Sequence, residues 1–189
     1  MAALLLTPRA AVRVTKHHIP AHGLVPNTSI QHKPLLHYHG AFNRDTPSLA
    51  AAVEAHLASV GVVDPQWRYT MYATTHFHST THEVLVVSRG SARLCFGGEG
   101  NPGAYTPRVE RGDVVVVPAG VGHRLVEDLA EGGGSGWESF EMVGSYPRGG
   151  RPWDMCYGKA GEEEKVEAIR DLGWFTRDPI YGDDGPATE

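Results

Sequence analysis

The sequence predicts an all-β protein, a single barrel or jelly roll with one or two helices on its outside. Three observations predict it. Runs rich in β-branched and aromatic residues recur along the chain, among them WRYTMYATTHFH from Trp67, SARLCF from Ser91 and WESFEMVGSYP from Trp137. Glycine and proline, 23 and 13 of 189 residues, punctuate these runs with the turn density of a many-stranded fold. One run, Val114 to Val117, is apolar throughout, as a strand buried on both faces must be.

The chain opens with MAALLL, followed at once by Pro8 and Arg9. Six residues fall short of the roughly 7–15 apolar residues of a secretory core. No later run approaches the roughly 18–20 needed to span a membrane. A cytoplasmic protein is expected, with an organellar presequence carrying Arg9 and Arg13 as the alternative. AVRV reads as a short strand, and Pro20, Gly23, Pro26 and Asn27 break the next stretch into loop. PLLHYHGAF is a second strand, with His37 and His39 on one face. No glutamate follows this pair at ligand spacing. The two histidines are therefore read as polar groups on an outer face, with a supplementary ligand pair as the alternative.

Residues 1–45 thus form an N-terminal arm with strands. Given to a neighbouring subunit, such an arm would cover an exposed sheet edge, so a homodimer is expected. A peripheral helix is expected over 46–61, with Thr46 as N-cap, Pro47 in the first turn and Gly61 as terminator. Its apolar stripe is Leu49, Val53 and Leu57. Residues 62–147 make the barrel core. Within it, GGEGNPGAYTP (97–107) is a candidate lid, with Tyr105 placed to touch a ligand, and EGGGSG (131–136) is a hairpin connection. The tail, 148–189, holds a short helix in GEEEKVEAIRDLG, with acids in its first turn. Trp174, Phe175, Ile180 and Tyr181 should fold it back onto the barrel or onto a partner subunit.

A net charge of −5 offers no basic surface for nucleic acid or an anionic membrane. The two cysteines, Cys95 and Cys156, lack C-x-x-C spacing and are read as reduced thiols, although a disulfide between them stays open.

The chemistry gathers in two stretches. In HFHSTTHEVLVVSRG, alternation puts His76 and His78 on one face, and the polar link lets Glu83 return on the neighbouring strand. Two imidazoles and a carboxylate converging in a β framework suit a metal ion. In GDVVVVPAGVGH, the strand ends in a tight turn at Pro118 and Gly120 that delivers His123 towards the same interior. Burying three imidazoles is costly unless their nitrogens are satisfied, and one cation satisfies all of them. His82 has the opposite parity to Glu83, which places it at the pocket rim or behind Glu83, orienting it.

These stretches resemble the paired motifs of the cupin superfamily, G-x5-H-x-H-x3,4-E-x6-G and G-x5-P-x-G-x2-H-x3-N. The first is carried by His76, His78, Glu83 and Gly90, the second by Gly112, Pro118, Gly120 and His123. Thr70 and Glu127 stand where the pattern has its first glycine and last asparagine. The phrases PQWRY, HSTTHEVL and SYPRGGRPWDM further resemble the small single-domain YjlB-type cupins, fungal members included.

The resemblance implies a jelly-roll barrel with one divalent transition metal per chain (iron, manganese, nickel, copper or zinc) on His76, His78, Glu83 and His123. It implies oxidoreductase chemistry, commonly of the dioxygenase kind, on a small-molecule substrate. Two other readings stand beside it. One is a non-enzymatic module that binds metal or a small ligand. The other is redox-neutral isomerisation or lysis, with Glu83 or His82 as base.

Overall fold

A computed structural model of the chain describes residues 5–130 and 139–189. The EGGGSG connection, the start of the run expected from Trp137 and most of the leading apolar run lie outside the described residues. The strands are β1 (Arg13–His17), β2 (Leu35–His39), β3 (Val63–Tyr69), β4 (Glu83–Arg89), β5 (Ser91–Phe96), β6 (Arg108–Glu110), β7 (Val114–Val117), β8 (His123–Asp128) and β9 (Glu141–Pro147). They form two antiparallel sheets, one ordered β1-β2-β7-β4-β9-β3 and one ordered β6-β5-β8. This is the all-β jelly roll that the strand pattern predicts.

The large sheet is apolar on both faces, and the two faces meet different partners. On β4 and β7, Leu85, Val87, Val115 and Val117 face the small sheet and pack with Leu94 and Phe96 to fill the barrel. The alternate residues, Val84, Val86, Val114 and Val116, face outward. There they are covered by helix α1 (Leu49–Val60), through Leu49, Val53 and Leu57, and by Phe175 and Ile180 of the tail. The four-valine run is therefore buried on both faces, and the tail folds back onto its own barrel.

Helix α1 begins two residues later than expected. The backbone N–H of Thr46 turns back to Asn43 O at 3.1 Å, so Thr46 closes a turn instead of capping the helix. Ser48, at φ 50°, leads in without a side-chain cap. Gly61 ends the helix as expected, at φ 73° with its N–H on Leu57 O at 3.0 Å.

The strands expected in the first 45 residues belong to the large sheet. β1 and β2 extend the large sheet of their own chain, with His37 in register opposite Val115, so the barrel begins near residue 13. The reason is that β7, paired to β4 on one side, needs a partner on the other, and β2 supplies it.

Two glycines keep the site in shape. Gly112 sits at φ +96°, and a Cβ there would lie 2.3 Å from the backbone oxygen of Phe42, so only glycine fits this turn into β7. At Gly144 on β9 a Cβ would lie 2.0 Å from the Trp67 ring. The missing side chain lets Trp67 lie across the strand and reach Tyr146.

Candidate metal centre

The extended stretch His76–His78 is held from both sides. His76 exchanges backbone hydrogen bonds with His123, at 3.2 and 2.8 Å, and Phe77 exchanges them with Cys156 of the tail, both at 2.9 Å. Phe77 turns into a small apolar cluster with Cys156 and Ile169, so His76 and His78 turn the other way. Glu83 is the first residue of β4 and His123 the first of β8. The backbone N–H of Gly120, in the turn before His123, donates to His78 O at 2.9 Å. All four side chains are buried, and the three imidazoles bring one ring nitrogen each within 4.8 Å of one another.

Their tautomers are set by their neighbours. Nδ1 of His76 lies 2.9 Å from Thr74 O, Nδ1 of His123 lies 2.9 Å from Val121 O, and Nδ1 of His78 bonds Asp154 O. A carbonyl can only accept, so each Nδ1 carries a hydrogen and donates it. Each Nε2 is then left to face the interior. Nε2 of His78 lies 3.5 Å from Glu83 Oε1, and Nε2 of His123 lies 3.3 Å from Glu83 Oε2. Donor atoms each about 2.1 Å from one ion stand at such separations.

Glu83 has a clear deficit. Its Oε1 accepts from the Tyr146 hydroxyl at 2.7 Å, but its Oε2 is buried without a hydrogen-bond partner. A lone-pair nitrogen facing an orphaned carboxylate oxygen is unfavourable unless a cation stands between them. Burial alone would raise the Glu83 carboxyl. When His78 is protonated, its hydrogen bond and charge, with charge from His123, outweigh it and hold the group at about 2. Burial, reinforced by His76, pushes His123 down to about 3, whereas for His78 the attraction of Glu83 outweighs burial and raises it. The centre thus offers an anion and imidazole nitrogens to whatever cation compensates it, and the donor set fits a divalent transition ion.

Above these groups lies a cavity of about 280 Å³, walled by Trp67, Tyr69, Met71, Tyr72, Trp153 and Met155. Arg68 also lines it, but its guanidinium is tied to Glu54 by two hydrogen bonds of 2.5 and 2.6 Å. The walls are therefore mostly aromatic and thioether, and Arg68, the lysine or arginine among the described lining residues, is already paired.

Comparison with known proteins agrees with this centre. A family model described as cupin matches residues 71–126, the span of both motifs. Over 174 residues the chain is 36% identical to "Uncharacterized protein YjlB" of Bacillus subtilis (strain 168), covering 92% of this chain and 93% of that one. The chain is a YjlB-like cupin. More distantly, it is similar to vicilin from Solanum lycopersicum (tomato), at 18% identity and a TM-score of 0.35 over 50% of this chain and 23% of that one. The coconut allergen cocosin matches at 12% identity and a TM-score of 0.33, over 79% and 28%. The chain thus spans about a quarter of the length of either.

In this cupin three further expectations are corrected. The His82 side chain does not line the cavity, and its hydrogen bonds go elsewhere than to Glu83. Its Nδ1 accepts from Ala119 N–H at 3.0 Å, its Nε2 bonds Gly173 O at 3.1 Å, and its ring packs on Trp174. It fastens the tail. No residue of the 97–107 loop lines the cavity, and the Asn101 amide binds Pro20 O and Gly97 O. Tyr105 bonds His37 and stacks on His17 at 3.5 Å. His37 is fully buried on the inner face of the large sheet, not exposed on an outer one.

The residue that does orient Glu83 is Tyr146, itself hydrogen-bonded by Trp67 Nε1 at 2.9 Å. Asp154 supports His78 from the other side. Besides its carbonyl, its carboxylate takes the N–H and hydroxyl of Ser79 at 2.7 and 2.8 Å. Removing a partner of this kind weakens metal binding without removing a ligand. Tyr146→Phe should lower metal affinity about 10–100-fold, read by competition with a chromogenic chelator, and unchanged affinity would strip Tyr146 of its orienting role.

Proposed function

We propose that this cupin is a mononuclear metal-dependent oxidoreductase of the dioxygenase type, acting on a small, flat, uncharged organic molecule. The observation that carries the reading is the orphaned Glu83 Oε2, buried among imidazole nitrogens at the floor of an aromatic cavity. A divalent ion there would supply Lewis acidity and, if redox-active, a route for electrons to dioxygen. The chain's own residues do the rest. Tyr146 keeps Glu83 in place, and the Nδ1–carbonyl bonds keep the imidazoles aimed. Trp67, Tyr72 and Trp153 offer faces for a planar ring and exclude water. With Arg68 paired to Glu54, no lysine or arginine among the described lining residues is left unpaired to select for an anionic substrate.

Metal substitution tests this reading. Stripped protein reloaded with ferrous iron or copper should consume oxygen with some member of a panel of aromatic, diketone and sugar-like compounds, and zinc-loaded protein should not. Full turnover with zinc would replace the redox reading by isomerase or lyase chemistry. A tightly held ion with no turnover under any metal would make the protein a binding module.

A homodimer in the cytoplasm belongs to the same proposal. β1 and β3 are the outer strands of the large sheet, edges that proteins usually cover, and the buried Cys95 and Cys156 are free thiols. Among the described residues no helix is long and apolar enough to cross a membrane. Light scattering at micromolar concentration should give twice the 20.5 kDa chain mass, and a monomeric mass would exclude the dimer.

A further inference from the structure

A second group of histidines lies on the inner face of the large sheet, away from the centre described above. Register places Thr15 opposite His37 and His37 opposite Val115, so Thr15, His17, His37 and His39 share the face of Val115 and Val117. Asp113, in the turn that leads into β7, reaches the same spot. His37 Nε2 stands 3.2 Å from Asp113 Oδ2, and the His39 ring stacks on the His37 ring at 3.8 Å. One ring nitrogen of each histidine and one oxygen of Asp113 all lie within 4.8 Å of one another.

We propose that His37, His39 and Asp113 form a second divalent-metal site, separate from the His76, His78, Glu83 and His123 centre. Two imidazoles and one carboxylate are a donor set that zinc, copper(II) or nickel accepts. The outer contacts that ligands require are already in place. The Tyr105 hydroxyl lies 2.9 Å from His37 Nδ1, where it can accept that N–H while Nε2 binds. Asp113 is fixed by the backbone N–H groups of Gly40, at 2.7 Å, and Glu110, at 3.0 Å.

A satisfied core histidine accounts for less of this arrangement. The His37–Asp113 hydrogen bond is complete without His39, whose Nε2 stands 3.2 Å from the Thr15 hydroxyl, yet one His39 nitrogen also lies within 4.8 Å of a His37 nitrogen and an Asp113 oxygen. The site also has an entrance. His39 is half-buried and the Asp113 side chain is 12% exposed, whereas His37 is closed off. Bound there, an ion would tie β2 to the entry of β7. With three donors against four, this ion should be held more weakly than the first, and should appear when metal is added to stripped protein.

Cobalt(II) titration of chelator-stripped, dialysed protein tests the site, because its visible bands count and distinguish nitrogen–oxygen sites. Wild-type protein should take up two equivalents, and His39→Gln only one. His78→Ala should keep the equivalent that His39→Gln loses, which separates this site from the first whatever the fate of the first. His37→Ala risks the fold, since it empties a buried position. His39→Gln, at a half-buried one, is the deciding variant, with its circular dichroism checked against wild type. Uptake of a single equivalent by wild type that His39→Gln leaves intact would overturn the proposal, as would two equivalents retained by His39→Gln.

Discussion

His123→Ala, like His78→Ala, should leave purification without the ion that wild-type protein carries, a fall from about one tightly held metal per chain to near none. Each replacement removes an Nε2 that faces Glu83 and leaves that buried carboxylate short of a partner. Elemental analysis of protein purified without added metal reads the result. His82→Ala is the control. It too removes a buried histidine from the motif region, but one whose nitrogens serve Ala119 and Gly173, so the metal should stay. Stoichiometric metal in both ligand variants would sink the assignment. Acid should act in the same direction as these variants. Ligating imidazoles must be neutral, so protons compete with the ion; His78, raised by Glu83 above the ordinary histidine value of about 6.5, takes up its proton first, and occupancy should fall as pH drops through that range.

Asp178→Ala should cost about 3–5 kcal/mol of stability, read as a shift in the denaturant midpoint. The Asp178 carboxylate is fully buried and accepts four hydrogen bonds. They come from the Tyr38 hydroxyl at 2.7 Å and the backbone N–H groups of Ile180, Tyr181 and Ala187 at 2.8, 2.9 and 3.0 Å. Alanine strands all four donors where water does not reach them. It also unfastens the tail from Tyr38, on the outer face of β2, and so weakens the cover over Val84, Val86, Val114 and Val116. Asp178→Asn, which keeps an acceptor oxygen, should lose less. A midpoint unchanged by Asp178→Ala would mean the tail contributes little to the fold.

Alternation and local spacing made part of this structure legible in the sequence. His76, His78, Glu83 and His123 converge because the first two share one face of an extended stretch, His123 opens β8 bridged to His76, and Glu83 opens β4 on the barrel's inner face. The four-valine run announced its two-sided burial in the same way. What stayed hidden depended on partners far along the chain. Tyr146 reaches Glu83 across 63 residues, because β9 lies beside β4 with Val84 opposite Ser145. Parity correctly set His82 against Glu83, but nothing local said that the tail would fill that other face. For His37 and His39 the shared face was legible and its direction was not. That depended on β2 joining β7, which also brought up a carboxylate, Asp113, that no motif links to the pair. Glycine content suggested a moving lid in residues 97–107, yet one asparagine amide and one tyrosine ring pin it.

The most direct test of the metal centre is an anomalous difference map from crystals of protein purified without added metal. The expected result is one strong peak in contact with Nε2 of His76, His78 and His123 and with the Glu83 carboxylate. A map without a peak there, with Glu83 hydrogen-bonded to a protonated His78 instead, would contradict it.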